Sequence, residues 1–299
     1  MTKKEEFNEM TVNMVRERAA GTKVRLTSVL KLNGVRRTGI AIEKDGSNCE
    51  PTCYLDGFYD EDGNLEEMAG MAAESVLRAI DGQDGQGNVD VAFFADYENV
   101  KDRICLRVVN AELNREYLSD MPHVPFLDLA ACFYYAYEDE AIGMGIIAIK
   151  NDHLRRWGID ADRLLEDVKR NERPVYGRVM IPMENMLMEI TTGMKCRDEG
   201  EDFRLSEMGM YVMTNRERHF GTAGILDREW LLGIRERIGN YYVIPSSVHE
   251  LIVLRDPGNE GDVSMLRKTV REVNQGAVGP EDYLSDSLYY FDGELKACA

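Results

Sequence analysis

Ser246, Ser247 and His249 sit together in the run Pro245-Ser-Ser-Val-His-Glu250, and they are the residues best placed for covalent chemistry. A serine hydroxyl becomes a nucleophile when a base within hydrogen-bond reach takes its proton and backbone amides receive the oxyanion. That chemistry would make the chain a hydrolase. No G-x-S-x-G elbow accompanies these residues. The same run also reads as a hairpin turn whose hydroxyls satisfy loop amides, with His249 as a hydrogen-bonded core residue. His249-Glu250 opens like a zinc-protease helix, but Val253 stands where the second histidine belongs. A strand over 248–254 would place His249 with Leu251 and Val253, and Glu250 on the other face with Val248 and Ile252.

Other patterns fall short of a site. Asp60, Asp62 and Gly63 suggest a calcium loop, yet aligning Gly63 puts Phe58 at the first ligand position and Ala69 at the twelfth. Cys49 and Cys53 have no second pair for zinc. Gly143, Gly145 and Ala148 match a dinucleotide fingerprint, but Ile146, Ile147 and Ile149 carry a strand through it. No metal and no cofactor is expected. Lys150, Arg155, Arg156, Arg163, Lys169, Arg170, Arg173 and Arg178 make one locally basic stretch of helix, Gly158 turn and helix. Acids at 152, 160, 162, 166, 167 and 172 nearly cancel it, which argues against DNA binding. Half of the 16 methionines fall between Met180 and Met213, a span that reads as core, lid or interface.

The elements that must position these residues are mixed. Apolar spacing predicts helices over 3–20, from Leu65 to Ile80 with Asn64 as cap, near Tyr97–Arg103, and over Ala111–Leu118. Further helices are expected over Asp152–Trp157, after the Asp160 cap with an Ile159–Leu164 staple, after Asp227, and after Asp262. Strands are expected at Lys23–Leu32 and Thr38–Glu43 around Asn33-Gly34, at Cys49–Leu55, and at Leu106–Val109. Others are Phe126–Tyr137 and Ile142–Ile149 joined by Glu138–Glu140, then Met210–Thr214, Tyr241–Pro245, Val248–Leu254 and Leu288–Leu295. Residues 81–90 read as a flexible Gly-rich loop. Residues 174–208 carry no clear period. The expected fold is α+β, with mixed or antiparallel sheets and hairpins packed against amphipathic helices. An N-terminal region over 1–120 and a C-terminal region over 121–299 are expected, as parts of two domains or of one continuous architecture.

The chain has 299 residues, a 44% hydrophobic fraction and a formal net charge of −18. Such acidity repels nucleic-acid phosphates and anionic membranes. No run is apolar enough to span a bilayer, the N-terminus has no signal-peptide pattern, and six scattered cysteines read as reduced thiols. A cytoplasmic location is therefore expected.

The run Tyr242-Val-Ile-Pro-Ser-Ser-Val-His-Glu-Leu-Ile-Val resembles an uncharacterised bacterial domain-of-unknown-function family of about this length. So do Gly46-Ser47 with Pro51–Leu55, Val109-Asn110-Ala111, Asp152–Gly158, Val212-Met-Thr-Asn215, Arg271-Glu-Val-Asn274 and Tyr283-Leu-Ser-Asp286. The resemblance covers nearly the whole chain and departs most between Glu172 and Asp202. It implies a bacterial cytoplasmic protein, of a kind met in anaerobic Gram-positive bacteria and often among mobile-element genes. It implies no activity and supplies no catalytic residue.

Two functional readings follow. The first is a non-enzymatic interaction or regulatory protein, with nine acids and one lysine over 43–67 offering a face to a basic protein partner. The second is a hydrolase with its site near Ser246, Ser247 and His249. Oligomeric state is open in both.

Overall fold

A computed structural model describes all residues except 20, 44–50, 83–91, 140–142, 196–202, 259–262 and 299. Several expectations lie outside the described residues: Cys49, Gly46-Ser47, most of the Gly-rich 81–90 loop, Glu140 in the acidic turn, the charged stretch 196–202 and the Asp262 cap. The described chain forms two compact units, Met1–Ala92 and Phe93–Ala299. Position 120 lies inside the second unit.

The first unit opens with helix α1 (Lys3–Arg18). Thr2 caps it: its hydroxyl accepts the Glu5 amide at 3.2 Å, while the Glu5 carboxylate accepts the Thr2 amide at 2.7 Å. Strands β1 (Lys23–Leu30) and β2 (Arg36–Glu43) pair antiparallel, and β3 (Thr52–Tyr54) joins β2. The Asn33-Gly34 signal holds, since both residues adopt the left-handed conformation in the turn between β1 and β2. Asn64 caps α2 (Leu65–Gly82), its amide oxygen accepting from the Glu67 N–H at 3.0 Å. Phe7, Val12 and Val15 of α1 and Met68, Ala72 and Val76 of α2 bury the Ile40–Ile42 face of the sheet. The Asp60–Gly63 loop is an Asx turn, Asp62 N–H donating to Asp60 Oδ1, and the Lys3 ammonium donates to the carbonyls of Glu61 and Gly63.

The second unit carries two more antiparallel sheets. After α3 (Tyr97–Val100) come β4 (Ile104–Asn110), α4 (Arg115–Leu118), β5 (His123–Phe126), β6 (Leu129–Asp139) and β7 (Gly143–Ala148). Strand β6 is central: β4 pairs with it on one side, and β5 and β7 on the other. Gly143, Gly145 and Ala148 lie within β7, so no strand-to-helix turn exists there to hold a pyrophosphate. Helices α5 (Asn151–Trp157) and α6 (Ala161–Tyr176) are separated by left-handed Gly158, and Asp160 accepts the Arg163 amide at 2.8 Å. Ile104, Leu106, Phe133 and Tyr135 of the sheet pack against Leu164 and Val168 of α6.

The third sheet is built from β8 (Val179–Pro182), β9 (Met210–Thr214), β10 (Tyr241–Ile244), β11 (Leu251–Arg255), β12 (Tyr289–Phe291) and β13 (Leu295–Ala297). Its order is β13-β12-β10-β11-β9-β8. Helices α7 (Met183–Thr192), α8 (Arg228–Ile238) and α9 (Val263–Ala277) complete the unit. No described helix is long and apolar enough to cross a membrane.

Three expectations are corrected, and one open span is assigned. The strand expected over Phe126–Tyr137 begins only at Leu129, because Leu127 turns left-handed between β5, which ends at Phe126, and β6. Leu288–Leu295 is likewise two strands, broken at Gly293 with φ 121°. The expected helix over 111–118 keeps only α4, since Asn110 Oδ1 takes the Leu113 amide at 2.9 Å and holds a turn. The methionine-rich span contains β8 and α7, with Met180 and Met213 buried in the sheet and Met188, Met194 and Met208 exposed.

The basic stretch is largely neutralised. Lys150 pairs with Asp120, Arg155 and Arg156 with Asp152, Arg163 and Arg170 with Asp167, and Arg178 with Asp227. Asp167 is buried. Burial pushes its carboxyl up, but the Tyr97 hydroxyl at 2.7 Å and the Arg163 and Arg170 guanidinia outweigh this and hold it below the usual range. Its stabilisation is present above the ordinary carboxylate pKa of about 4 and is lost as pH falls through the lowered folded value. Asp167→Asn should therefore cost about 1–3 kcal/mol in urea unfolding at pH 7. The difference from wild type should shrink as the titration approaches pH ~2, where Asp167 is itself protonated.

Candidate functional site at one end of the six-stranded sheet

Antiparallel pairing brings the ends of β9 and β10 and the beginnings of β8, β11 and β12 to the same end of the third sheet. The segments 215–227, 245–250 and 278–288 and the Gly177-Arg178 corner therefore gather there. Their backbone polar groups are satisfied largely by side-chain amides and hydroxyls. Asn215 bonds His219 twice, donating to its carbonyl at 2.7 Å and accepting its amide at 3.1 Å. Asn110, at the end of β4, donates to the Leu284 carbonyl at 2.9 Å. Buried Asn274 donates to the Ser285 carbonyl and to Asp286, both at 3.0 Å. Thr214 and Thr222 donate to the carbonyls of His249 and Ser247. Gly221 crosses directly over β9: a Cβ there would lie 2.6 Å from the Thr214 Cα and the Asn215 nitrogen.

These contacts place the sequence-derived candidates. His249 is not in a strand, because β11 begins only at Leu251. The Ser247 hydroxyl accepts the amides of His249 and Glu250, both at 3.2 Å, while the Val248 amide turns to the Asp282 carbonyl. Local side-chain bonding thus competes successfully with the sheet ladder, and the alternation expected for 248–254 does not apply to His249 and Glu250. Ser246 is buried. Ser247 and His249 share one turn, but the Ser247 hydroxyl bonds the His249 backbone amide, not its imidazole.

The imidazole of His249 is held at both nitrogens. Nδ1 accepts the Phe220 amide at 3.3 Å, and Nε2 faces Asp282 Oδ1 at 3.2 Å. An acceptor at Nδ1 assigns the proton of the neutral ring to Nε2, which donates to Asp282. The His219 ring lies 5.0 Å from that of His249 and 3.8 Å from that of Phe220. Burial, His249 and Arg107 all push the His219 pKa down, opposed by Asp282. Burial pushes the Glu250 carboxyl up, opposed by His249 and Arg218. Arg218 and Phe220, on either side of His219, both hold left-handed backbone, at φ 53° and 55°. Each costs of order 1–2 kcal/mol for a non-glycine residue. The Arg218 guanidinium is fixed by a bidentate bond to Glu189, at 2.6 and 2.9 Å.

His219, Asp282, Arg107 and the three asparagines were not singled out as site residues from sequence. Their only signal was adjacency to Val212–Asn215, Val109–Ala111, Arg271–Asn274 and Tyr283–Asp286, the stretches that carried the family resemblance. No group of three metal-ligating side chains occurs among the described residues.

The segment after His219 leads to a second feature. Phe220 packs on Tyr134 and Arg107, on one face of the β4–β6 sheet. Ala223 and Leu226, in the 3-10 turn Gly221–Leu226, pack on the opposite face with Leu106 and Ala131. The segment thus passes over the free edge of β4. On that opposite face lies a cavity of about 590 Å³ walled by Leu106, Phe126, Leu165 and Leu226. Lys169, Arg178 and Arg228 and the carboxylates of Asp227 and Glu229 also line it. Arg178 pairs with Asp227, whose other carboxylate oxygen caps α8 by accepting the Glu229 and Trp230 amides. Lys169 is exposed and has no hydrogen-bond or ion-pair partner among the described residues.

Gly221→Ala should destabilise the protein by about 2 kcal/mol or more, since backbone and not a flexible side chain meets the added methyl. Chemical denaturation of the variant against Gly233→Ala, where a Cβ meets nothing within 4 Å, checks this. Equal stability of the two would show that 214–221 yields without cost.

Comparison with curated proteins and with solved structures finds no match. A family model does match, over residues 4–293. The chain therefore belongs to the family of unknown function DUF5688.

Proposed function

We propose that the protein is a non-enzymatic regulatory or interaction protein that binds a small amphipathic anion in the cavity beside β4. One observation carries this reading: a cavity of about 590 Å³, within the usual range for ligand pockets, has an apolar lining over most of its walls, and of the charged groups that line it, Lys169 has no hydrogen-bond or ion-pair partner among the described residues, while Asp227 is paired with Arg178. Leu106, Phe126, Leu165 and Leu226 suit an apolar body, and the Lys169 ammonium suits one anionic head group. The wall formed by Leu226 belongs to the same segment that carries His219, so occupancy would bear on the loops at the sheet end.

The test uses 8-anilino-1-naphthalenesulfonate, an apolar anion that fluoresces when shielded from water. Wild-type protein should bind it saturably, and dodecanoate should compete. Leu226→Trp should remove saturable binding by filling the cavity. Lys169→Gln should weaken it about tenfold, the loss of one charge-assisted hydrogen bond. Unchanged binding by Leu226→Trp would sink the proposal.

A second reading, a hydrolase at Ser246, Ser247 and His249, draws on the His249–Asp282 pair, which resembles the base-and-orienter half of a triad. It requires the Ser247 or Ser246 hydroxyl to leave its present surroundings and reach the imidazole. Fluorophosphonate labelling of native protein, abolished by Ser246→Ala or Ser247→Ala, is the result expected of it. Absence of labelling would remove it.

A further inference from the structure

Arg107 projects from β4 on the face opposite the cavity and is only 5% exposed. A buried guanidinium is ordinarily paired with a carboxylate, because the desolvation cost of the charge is otherwise uncompensated. Arg107 has no carboxylate partner among the described residues. Its guanidinium donates to the Tyr117 hydroxyl and faces the buried Cys132 thiol, and its Nε is buried with no partner among the described residues. Two aromatic rings lie against the guanidinium: Cζ lies 4.9 Å from the Phe220 centroid and 5.3 Å from that of Tyr117. Cation–π contact offsets part of the desolvation cost and leaves the hydrogen-bonding edge unsatisfied.

A second donor stands beside that edge. The His219 ring packs on the same Phe220 ring, and neither of its nitrogens has a hydrogen bond among the described residues. His219 and Tyr117 are half-buried, so the pair opens toward solvent on this side. The backbone spends two left-handed non-glycine residues, Arg218 and Phe220, to hold the imidazole and the stacking ring in place. Strain of this kind persists where surrounding contacts over-determine it and is concentrated at binding sites. His249 cannot serve in the same way, since both its nitrogens are engaged.

We infer that Arg107, His219 and the Tyr117 hydroxyl form an anion-recognition site that takes a single carboxylate or phosphate group, separate from the cavity and on the other face of the same sheet. The anion would take the planar edge of the guanidinium, which matches two oxygens of either group, and one N–H of His219. Phe220 and Tyr117 would keep the ion pair dry.

The experiment is thermal unfolding of the full chain in sodium phosphate, sodium acetate and sodium chloride at matched ionic strength. Wild type should melt about 3–6 °C higher at phosphate or acetate ten times its dissociation constant than in chloride. A gain confined to acetate identifies a carboxylate ligand, and a gain confined to phosphate a phosphoryl one. Arg107→Met, which keeps length and removes charge, should melt at or above wild type in chloride and gain nothing from either oxyanion. His219→Gln should fold as wild type and need several-fold more oxyanion for the same gain. Equal melting of wild type in all three salts overturns the inference, as does a full gain retained by Arg107→Met. Should Arg107→Met not fold, the His219→Gln midpoint decides: no change from wild type overturns the site. Leu226→Trp should leave the oxyanion gain intact, which separates this site from the cavity ligand.

Discussion

Everything at the functional end of this protein depends on loop carbonyls being satisfied by side-chain amides. A buried backbone group left without a partner costs about 1–3 kcal/mol, so a surface where three irregular segments meet needs donors from outside itself. Asn110 supplies one from the tip of β4, Asn274 from α9, and Asn215 from the end of β9. Each reaches a carbonyl in a different segment or closes its own segment into a ring. With those donors present, 215–221, 245–250 and 279–287 can pack against one another without forming a sheet. His249 then meets Asp282 from a turn that no strand geometry would allow.

The same constraint explains why the site has two kinds of chemistry that do not mix. His249 is consumed by structure: its imidazole accepts from Phe220, donates to Asp282, and so links two segments. His219 is held through its backbone by Asn215 and by packing on Phe220, and neither of its ring nitrogens has a hydrogen bond among the described residues. Asp128 does for the β5–β6 turn what the asparagines do elsewhere. It accepts from the hydroxyls of Ser285 and Ser287 at 2.5 and 2.9 Å and from Tyr289 at 2.5 Å, tying that turn to the segment that carries Asp282.

How much of this could be read from the residues alone depends on the range of the interaction. Asp160, Gly158, Asn64 and Asp227 were legible because a cap or a left-handed stop is decided within four residues. The β6–β7 hairpin was legible because its apolar runs are long. The turn at 245–250 was half legible: the serines were read as turn hydroxyls, yet β-branched and apolar neighbours extended the expected strand through His249. What decided against that strand was one hydroxyl, Ser247 Oγ, taking two amides that a ladder would have used. The partners at the candidate site were not legible. Asp282 lies 33 residues from His249, and Asn110 lies 174 residues from Leu284. The burial of Arg107 was not legible either: it alternates with Leu106 and Val108 along β4, and it is turned inward by Phe220 and Tyr117, which pack against its guanidinium from elsewhere in the fold.

That inward turn bears on the origin of the fold's tolerance for a buried charge. Replacing a buried ionic group by an apolar one of similar volume is often neutral or stabilising, so a protein selected only for stability has no reason to keep Arg107 at 5% exposure with no carboxylate partner among the described residues. Two aromatic rings reduce the cost, but they are themselves placed by means that raise it, since Phe220 sits in left-handed backbone to stack where it does. Gly221 compounds the demand, because the chain must pass over β9 so closely that no side chain fits. Strain, a buried charge and an obligatory glycine brought to one place, Arg107 from β4 and the rest from 218–221, are local conflicts that packing does not resolve. Such conflicts are the mark of a place where the sequence answers to something other than the fold.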